Sequence, residues 1–412
     1  MKVVHLQYGS SSSGNYTITL HDLMTENGIE SSVLSLLTSF KPKDKKIKWL
    51  GKIPNLKSRL DFKLQDFLNK DNQKNLGSFS FPIFGTDISD HPLVRSADVI
   101  YVHWILNGFL NINSLICLAK LGIPMVFVMH DMWTFTGGCH YSFECLKFQT
   151  GCLNCQILSK NAIVDRSAIL FQKKLAFFQC YKHLYFIAPS LWMYANATNS
   201  KLLKFKQIFH LPNPTSKNYF QQTDNVYRIK KNISLKKRIL GFGANYINSP
   251  YKGFDYLLQA LHHLKSNPNC IDFEVLIFGS ELSPEILRKI PFPVHYTGYI
   301  KSEIEICEIY NAMDVFIVSS IADNLPTTVL ESLSCGTPVV GFTTGGIPDM
   351  IDHKKNGYLA IYKDSSDLSL GINFCLENNT IGYLNKELRQ DEIIKKHFNL
   401  IETILPISEI RK

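Results

Sequence analysis

This 412-residue chain lacks any apolar run long and clean enough to cross a bilayer. The longest stretch without Asp, Glu, Lys or Arg lies around Val99–Ala119, and it carries His103, Asn107, Asn111 and Asn113. Those groups would be costly in lipid, so the stretch reads as strand, loop and helix. The opening residues, MKVVHLQYGSSSSGN, hold one Lys and only a strand-length apolar run, too short for a signal-peptide core. Gly and Pro form no low-complexity tract, and no short internal repeat is visible, which excludes collagen and repeat architectures. Nothing resembles a nucleic-acid-binding module, so no nucleic-acid partner is expected. A net charge of +9 is mild and fits an anionic ligand or surface.

What is present is an alternation of short apolar strands with helical segments. Lys2–Gln7, Ser32–Leu37, Ala97–Trp104, Pro124–His130 and Leu184–Ala188 read as strands. Helical spacing over 15–27 ends at Gly28, and Leu115–Leu121 ends at Gly122. The pattern restarts after Leu211-Pro212-Asn213-Pro214, a poor interior for either element and a good linker. Ile239–Phe242, Phe273–Phe278, Val294–Gly298, Val315–Val318 and Pro338–Gly341 follow as strands, with a helix over Phe254–Leu264. The expected class is α/β, with two doubly wound Rossmann-like domains. Their expected bounds are 1–212 and 213–385, and a helical tail over 386–412 packs back on the first. Ligands bind beyond the carboxyl ends of such strands, so a cleft between two facing sheets is the expected site.

The most informative stretch runs from Ser319 to Gly346, SSIADNLPTTVLESLSCGTPVVGFTTGG. A strand ends at Val318, Pro326 sits near a helix start, and the helix stops at Gly336. The first turn of that helix aims free N–H groups at the strand ends, an anion-binding arrangement. Asp323 precedes the helix and reads either as its cap or as a ligand group. Glu331, eight positions on, reads either as a solvated side chain or as a carboxylate for a sugar cis-diol. Gly345-Gly346-Ile347-Pro348 follows, and paired glycines permit close backbone approach to a ligand.

This half resembles family 4 of the retaining GT-B glycosyltransferases. The resemblance rests on Asp323, seven residues and Glu331, then SCGTPVV over Ser334–Val340 and GGIP over Gly345–Pro348. It extends through TGYI at Thr297–Ile300, Tyr310–Asp314 and Asn356-Gly357-Tyr358. Asp323 stands where most members have Glu. The resemblance implies that Glu331 holds the nucleotide ribose and that Asp323, Asn324, Leu325 and Pro326 face the donor sugar. Tyr299 and Ile300 would lie at the nucleobase. In the loop GANYINSPYKG, Gly243 and Lys252 match the family's diphosphate clamp, while Ala244 stands where the clamping Arg usually does.

In the first half, the run from Val128 through His130-Asp131-Met132-Trp133 to Gly137-Gly138-Cys139-His140-Tyr141 resembles a block of a bacterial subgroup. That subgroup builds capsule, exopolysaccharide and lipopolysaccharide sugars. The resemblance gives His130 a place at the reacting carbon, and His103 and Asp131 acceptor-side places. The loop Tyr8–Gly14 would approach the phosphates through Gly14. The implied activity is transfer of a hexose-type sugar from a nucleotide diphosphate sugar to a saccharide or lipid-linked saccharide, with retention. No Asp-x-Asp motif is present, so no catalytic metal is expected. A degenerate, binding-only subunit and a sugar epimerase or phosphorylase of the same fold are the alternatives.

Two features stand outside that scheme. Cys139, Cys145, Cys152 and Cys155 form C-x5-C-x6-C-x2-C, whose last pair is a common half of a structural zinc site. Buried thiols and disulfides are the alternatives. Between Lys41 and Lys74, basic residues interleave with Trp49, Leu50, Ile53, Leu56, Leu60, Phe62, Leu64, Phe67 and Leu68. This reads either as a surface helix or as a device for docking on an anionic inner leaflet, which would make the protein cytoplasmic and peripheral to the membrane.

Overall fold

The computed structural model describes residues 1–9, 16–37, 45–73, 77–158, 164–244, 247, 249–267, 271–279 and 282–405. The chain divides into two compact units, one of Met1–Pro212 with the segment from Gln390 onward, the other Asn213–Arg389. The boundary falls within Leu211–Pro214, where two prolines interrupt any regular element.

The first unit is a seven-stranded sheet. In chain order its strands are β1 (Lys2–Gly9), β2 (Glu30–Leu37), β3 (Ile47–Trp49), β4 (Val99–Val102), β5 (Met125–Val128), β6 (Leu184–Ala188) and β7 (Ile208–His210). Their spatial order is β3-β2-β1-β4-β5-β6-β7, all parallel. The second unit has six strands: β8 (Arg238–Ala244), β9 (Phe273–Gly279), β10 (Val294–Tyr296), β11 (Val315–Val318), β12 (Val339–Phe342) and β13 (Gly357–Ala360). They are ordered β10-β9-β8-β11-β12-β13, again all parallel. Strand order reverses at β1/β4 in the first unit and at β8/β11 in the second. Ligands bind beyond the strand ends at such reversals.

The central strands are apolar on both faces, as parallel strands with both faces covered must be. On one face of the first sheet, Val3, Val99, Tyr101, Val126 and Val128 form a core with the helix Tyr16–Glu26 and the helix Gln390–Ile404. The later helix buries Ile393, Ile394, His397, Leu400, Ile401 and Ile404, a spacing of three and four that keeps one stripe inward. Each buried Ile or Leu contributes roughly 1.5–3 kcal/mol. The helix that follows the second unit in sequence therefore belongs to the first unit's core.

Period-2 alternation carries that face onward: Val3 and His5 on β1, Val99, Tyr101 and then His103 on β4, Val126, Val128 and then His130 on β5. Register pairs His5 with Tyr101. Side chains past β4 and β5 thus come into line with a side chain inside β1.

Candidate functional site

In the second unit, β8 leads past Gly243 to a single turn, Pro250–Lys252, and then Gly253 opens the helix Phe254–Ser266. Gly253 sits at φ 63°, and a Cβ there would collide with the Ser319 carbonyl after β11, so only glycine lets the two loops meet. Ser319 Oγ donates to the Lys252 carbonyl at 3.0 Å, and the Ile321 N–H to the Tyr251 carbonyl at 2.8 Å. These bonds hold Lys252 beside the loop after β11, where its Nζ donates to Asp323 Oδ2 at 2.6 Å. Ser320 Oγ lies 3.3 Å from the same oxygen. Burial disfavours the Lys252 charge, but the Asp323 carboxylate outweighs it and holds the ammonium above the ordinary lysine value.

Asp323 therefore does not cap the helix; that position falls to Pro326, ahead of Thr327–Ser334, with no side-chain cap bond. Gly345, at φ 56°, touches the other side of this loop: a Cβ would collide with the Asp323 carbonyl, which also accepts the Gly346 N–H at 3.2 Å. Asn324, Leu325 and Pro326 are buried in the same turn.

Glu331 lies on the second turn of that helix, and it is buried, not solvated. Its Oε2 accepts the Tyr310 hydroxyl at 2.9 Å. Burial pushes its carboxyl up to about 7, and Glu303 pushes the same way. Tyr310 heads a run that the resemblance already covered, but nothing in the sequence assigned it a role at Glu331. Its hydroxyl is brought to Glu331 from the neighbouring helix Glu303–Asn311, and its carbonyl accepts Thr337 Oγ1 at 2.7 Å. Tyr299 is half exposed after β10, with Ile300 partly buried beside it. Gly243 lies under the Phe278 ring.

In the first unit, His103 and His130 follow β4 and β5 at the carboxyl edge of the sheet. His103 Nδ1 and His130 Nε2 are 3.2 Å apart, with the rings stacked. Burial pulls the His130 imidazole down to about 4, against the opposing pull of Asp131, and holds His103 well below the histidine range. Both are neutral bases at pH 7. Tyr16 meets both rings edge-on. Gly14 lies outside the described residues.

Asp131, expected on the acceptor side, is held by partners within its own block. Its Oδ1 accepts the Trp133 N–H at 2.8 Å, capping the turn Met132–Phe135, and its Oδ2 pairs with His140 Nδ1 at 2.6 Å. Although burial opposes its charge, His140 and the Trp133 N–H hold it below the usual carboxylate range. His140 continues to Ser80 Oγ at 2.8 Å, and Trp133 Nε1 donates to the Ser80 carbonyl at 3.1 Å. Buried Lys174 donates to the Trp133 and Thr136 carbonyls, and burial lowers it to about 7. The whole block from Asp131 to His140 is thus braced from within.

The zinc expectation for Cys139, Cys145, Cys152 and Cys155 does not fit this arrangement. Among the described residues no three His, Cys, Asp or Glu side chains form a group that could hold a metal ion. Cys139 and Cys155 pack with Phe79, Ile157 and Leu158, whereas Cys152 packs on the main core and its sulfur accepts the Gly137 N–H at 3.1 Å. Burial pushes the Cys139 thiol up to about 12 and Cys152 up to about 11, so both stay protonated. All four are free thiols, with Cys145 partly exposed.

Residues 237–378 match the family described as glycosyl transferases group 1, a span that contains Lys252, Asp323 and Glu331. A Campylobacter jejuni N,N'-diacetylbacillosaminyl-diphospho-undecaprenol alpha-1,3-N-acetylgalactosaminyltransferase is 29% identical over 128 residues, 31% of this chain and 30% of that protein. The putative colanic acid biosynthesis glycosyl transferase WcaC of Escherichia coli is 25% identical over 267 residues, 60% of this chain and 59% of that one. The chain thus spans less than two thirds of the length of these curated relatives. Among solved structures, Anabaena HepE in complex with UDP and glucose superposes with a TM-score of 0.60 at 15% identity, covering 98% of this chain and 99% of that one. At that identity the likeness is one of fold: the α/β GT-B fold, with its two Rossmann-like units.

Proposed function

We propose that the protein is a glycosyltransferase that moves a sugar from a nucleotide diphosphate sugar to a saccharide or lipid-linked saccharide hydroxyl, with retention of configuration. The observation that carries this reading is the Lys252–Asp323 pair, with Glu331 buried on the helix that follows, inside the span that matches the glycosyl transferases group 1 family. In this reading an ammonium with one N–H on Asp323 has two left for a diphosphate. Glu331 takes the ribose, and the buried turn Asn324–Pro326 abuts the donor sugar. His130, neutral, stands near the reacting carbon with His103 behind it. The acceptor hydroxyl attacks on the face the diphosphate leaves, and the diphosphate takes its proton; Lys252 stabilises the charge that develops on the leaving group. No protein nucleophile and no catalytic metal take part.

The helix Lys52–Leu68 supports a membrane-surface acceptor. Its inward side is polar: Ser58 donates to the Asn107 carbonyl at 2.6 Å, and Asp61 accepts the Ile83 and Phe84 N–H groups at 3.0 and 2.9 Å. Its outward side is apolar, with Ile53 75% and Phe67 72% exposed alongside Leu56 and Leu60, and Lys52, Lys57, Arg59 and Lys63 flank that stripe. An exposed apolar stripe bordered by cations suits an anionic lipid surface. No helix among the described residues is long and apolar enough to cross a membrane.

Calorimetric titration with UDP- and GDP-sugars, followed by product analysis with each binder, tests the reading. One donor should bind and be consumed when a saccharide acceptor is added. Binding without turnover across acceptors would favour a binding-only subunit, and no binding at all would defeat the proposal.

A further inference from the structure

The contact between His103 and His130 does not end at His103. Its other nitrogen, Nε2, is 2.9 Å from His5 Nδ1, and the His5 and His103 rings stack at 5.2 Å. Three imidazoles on β1 and after β4 and β5 thus form one line along a single sheet face, across the strand-order reversal. The line runs from a partly exposed end at His130 to a fully buried end at His5. Around the buried end lie Tyr101, whose ring is 5.1 Å from His5, and His397, whose Nδ1 is 3.1 Å from the Tyr101 hydroxyl. His5 Nε2 is buried and has no hydrogen-bond partner among the described residues.

Proton counting restricts this line to two states. A neutral imidazole carries one N–H and one lone pair. Each of the two contacts needs one proton between its nitrogens. In the first state His5 Nδ1–H donates to His103 Nε2, and His103 Nδ1–H donates to His130 Nε2, leaving the His130 proton on Nδ1. In the second, every proton is on Nε2 and both bonds reverse. Any mixed arrangement with both bonds intact requires His103 to be doubly protonated or bare of protons. The second state would place the His5 proton on Nε2, a buried N–H with nothing to receive it. The first leaves a lone pair there, and orphaned buried N–H groups are the rarer case in folded proteins.

We propose that His5 and His103 are positioning residues that fix the proton of His130 on Nδ1, so that the His130 nitrogen turned away from the line is a hydrogen-bond donor. The partner this selects is an oxygen lone pair, such as a sugar hydroxyl or ring oxygen, rather than an N–H or ammonium. The proton order rests on the geometry alone; its use in recognising a sugar rests on the transferase reading.

Nitrogen-15 NMR of the histidine-labelled full chain without ligand tests the order, since bare and protonated ring nitrogens resonate far apart. Signals are assigned by their loss in His103→Gln and His130→Gln. In the wild type, His5, His103 and His130 should each show a protonated Nδ1 and a bare Nε2. A protonated Nε2 on any of the three, or averaged signals, overturns the proposal with no variant needed. His5→Asn, whose amide N–H replaces Nδ1–H, should preserve the His130 pattern, and His5→Leu should shift it toward an averaged one. An unmoved His130 in a folded His5→Leu protein also overturns it. If nucleotide sugars fail to bind while the Nδ1 pattern holds, the transferase reading falls and the proton order stands.

Discussion

The two units place their candidate residues at the same topological point, beyond the strands where the order reverses, yet burial acts on them with opposite sign. The first unit buries bases: His5, His103, His130 and His397 are all pulled below the histidine range. The second buries acids, and treats its two differently. Asp323 lies 2.6 Å from the Lys252 ammonium and holds it above the ordinary lysine value; Glu331, with the Tyr310 hydroxyl on its Oε2, is pushed by burial up to about 7. The lesson is that enclosure drives a titratable group toward neutrality whichever sign it carries, and a counter-charge within reach is what reverses this.

The sharpest way to break that contrast is Lys252→Ala. It strands the Asp323 carboxylate, and removing one partner of a buried pair costs about 3–5 kcal/mol; partial exposure of the pair places this one at the low end of that range. The second unit should lose stability in denaturant titration, and Lys252→Ala/Asp323→Asn should recover part of it without recovering transfer. Equal stability of single and double variants would mean the pair is not a unit.

The opposite signs also predict opposite pH responses. His130 falls from 6.5 to about 4 on folding, so its contribution is full above pH 6.5 and is lost as pH falls toward 4, about 3 kcal/mol in all. Glu331 rises from 4.5 to about 7, so its contribution is full below pH 4.5 and is lost as pH rises through 7. Hydrogen exchange resolved by segment should show the first unit loosening as pH drops from 7 to 5 while the second tightens. At pH 8, Glu331→Gln should stabilise the second unit by up to about 3 kcal/mol. Parallel responses of both units would remove the contrast.

Glu331→Ala should lower transfer about 10- to 100-fold, the loss of one charge-assisted contact of roughly 1.5–3 kcal/mol, as read from initial rates. The fold should persist, since no buried countercharge is left behind. On the surface, Ile53→Ser with Phe67→Ser should weaken sedimentation with vesicles containing anionic lipid about tenfold and leave the weak binding to neutral vesicles unchanged. The smallest expected effect is that of EDTA, which should leave the transfer rate where it was; a rate that collapses and returns with Mg²⁺ would overturn the metal-free chemistry.

The sequence disclosed the elements whose signal is local. The central strands read correctly because burial on both faces demands continuous apolar runs, as in Val315–Val318. Ile47–Trp49, Ile208–His210 and Gly357–Ala360 escaped notice because each is a sheet edge, short and half exposed, with nothing that requires such a run. The site divides the same way. Lys252, Asp323, Glu331 and His130 stand in motifs readable from neighbouring residues. His5 stands in none, and Tyr310 opens a matched run that says nothing of its partner: each meets that partner through register or helix packing across the sequence, 98 residues for His5 and His103. The cysteine spacing looked like ligation because spacing carries no information about where sulfurs point, and here two point into one apolar cluster and another into the main core.

The helix Gln390–Ile404 gives the first unit a peculiarity of birth. A ribosome completes β1 through β7, then the whole of residues 213–389, before it makes the segment that covers Tyr101, Val126 and Val128. Until then only the helix Tyr16–Glu26 packs on that sheet face, and the Tyr101 hydroxyl lacks its His397 partner. A chain that stalls or is clipped after Arg389 would carry a finished second unit beside an unfinished first one. Such a product would still present Lys252, Asp323 and Glu331, yet expose apolar surface on the sheet face where His5 is seated.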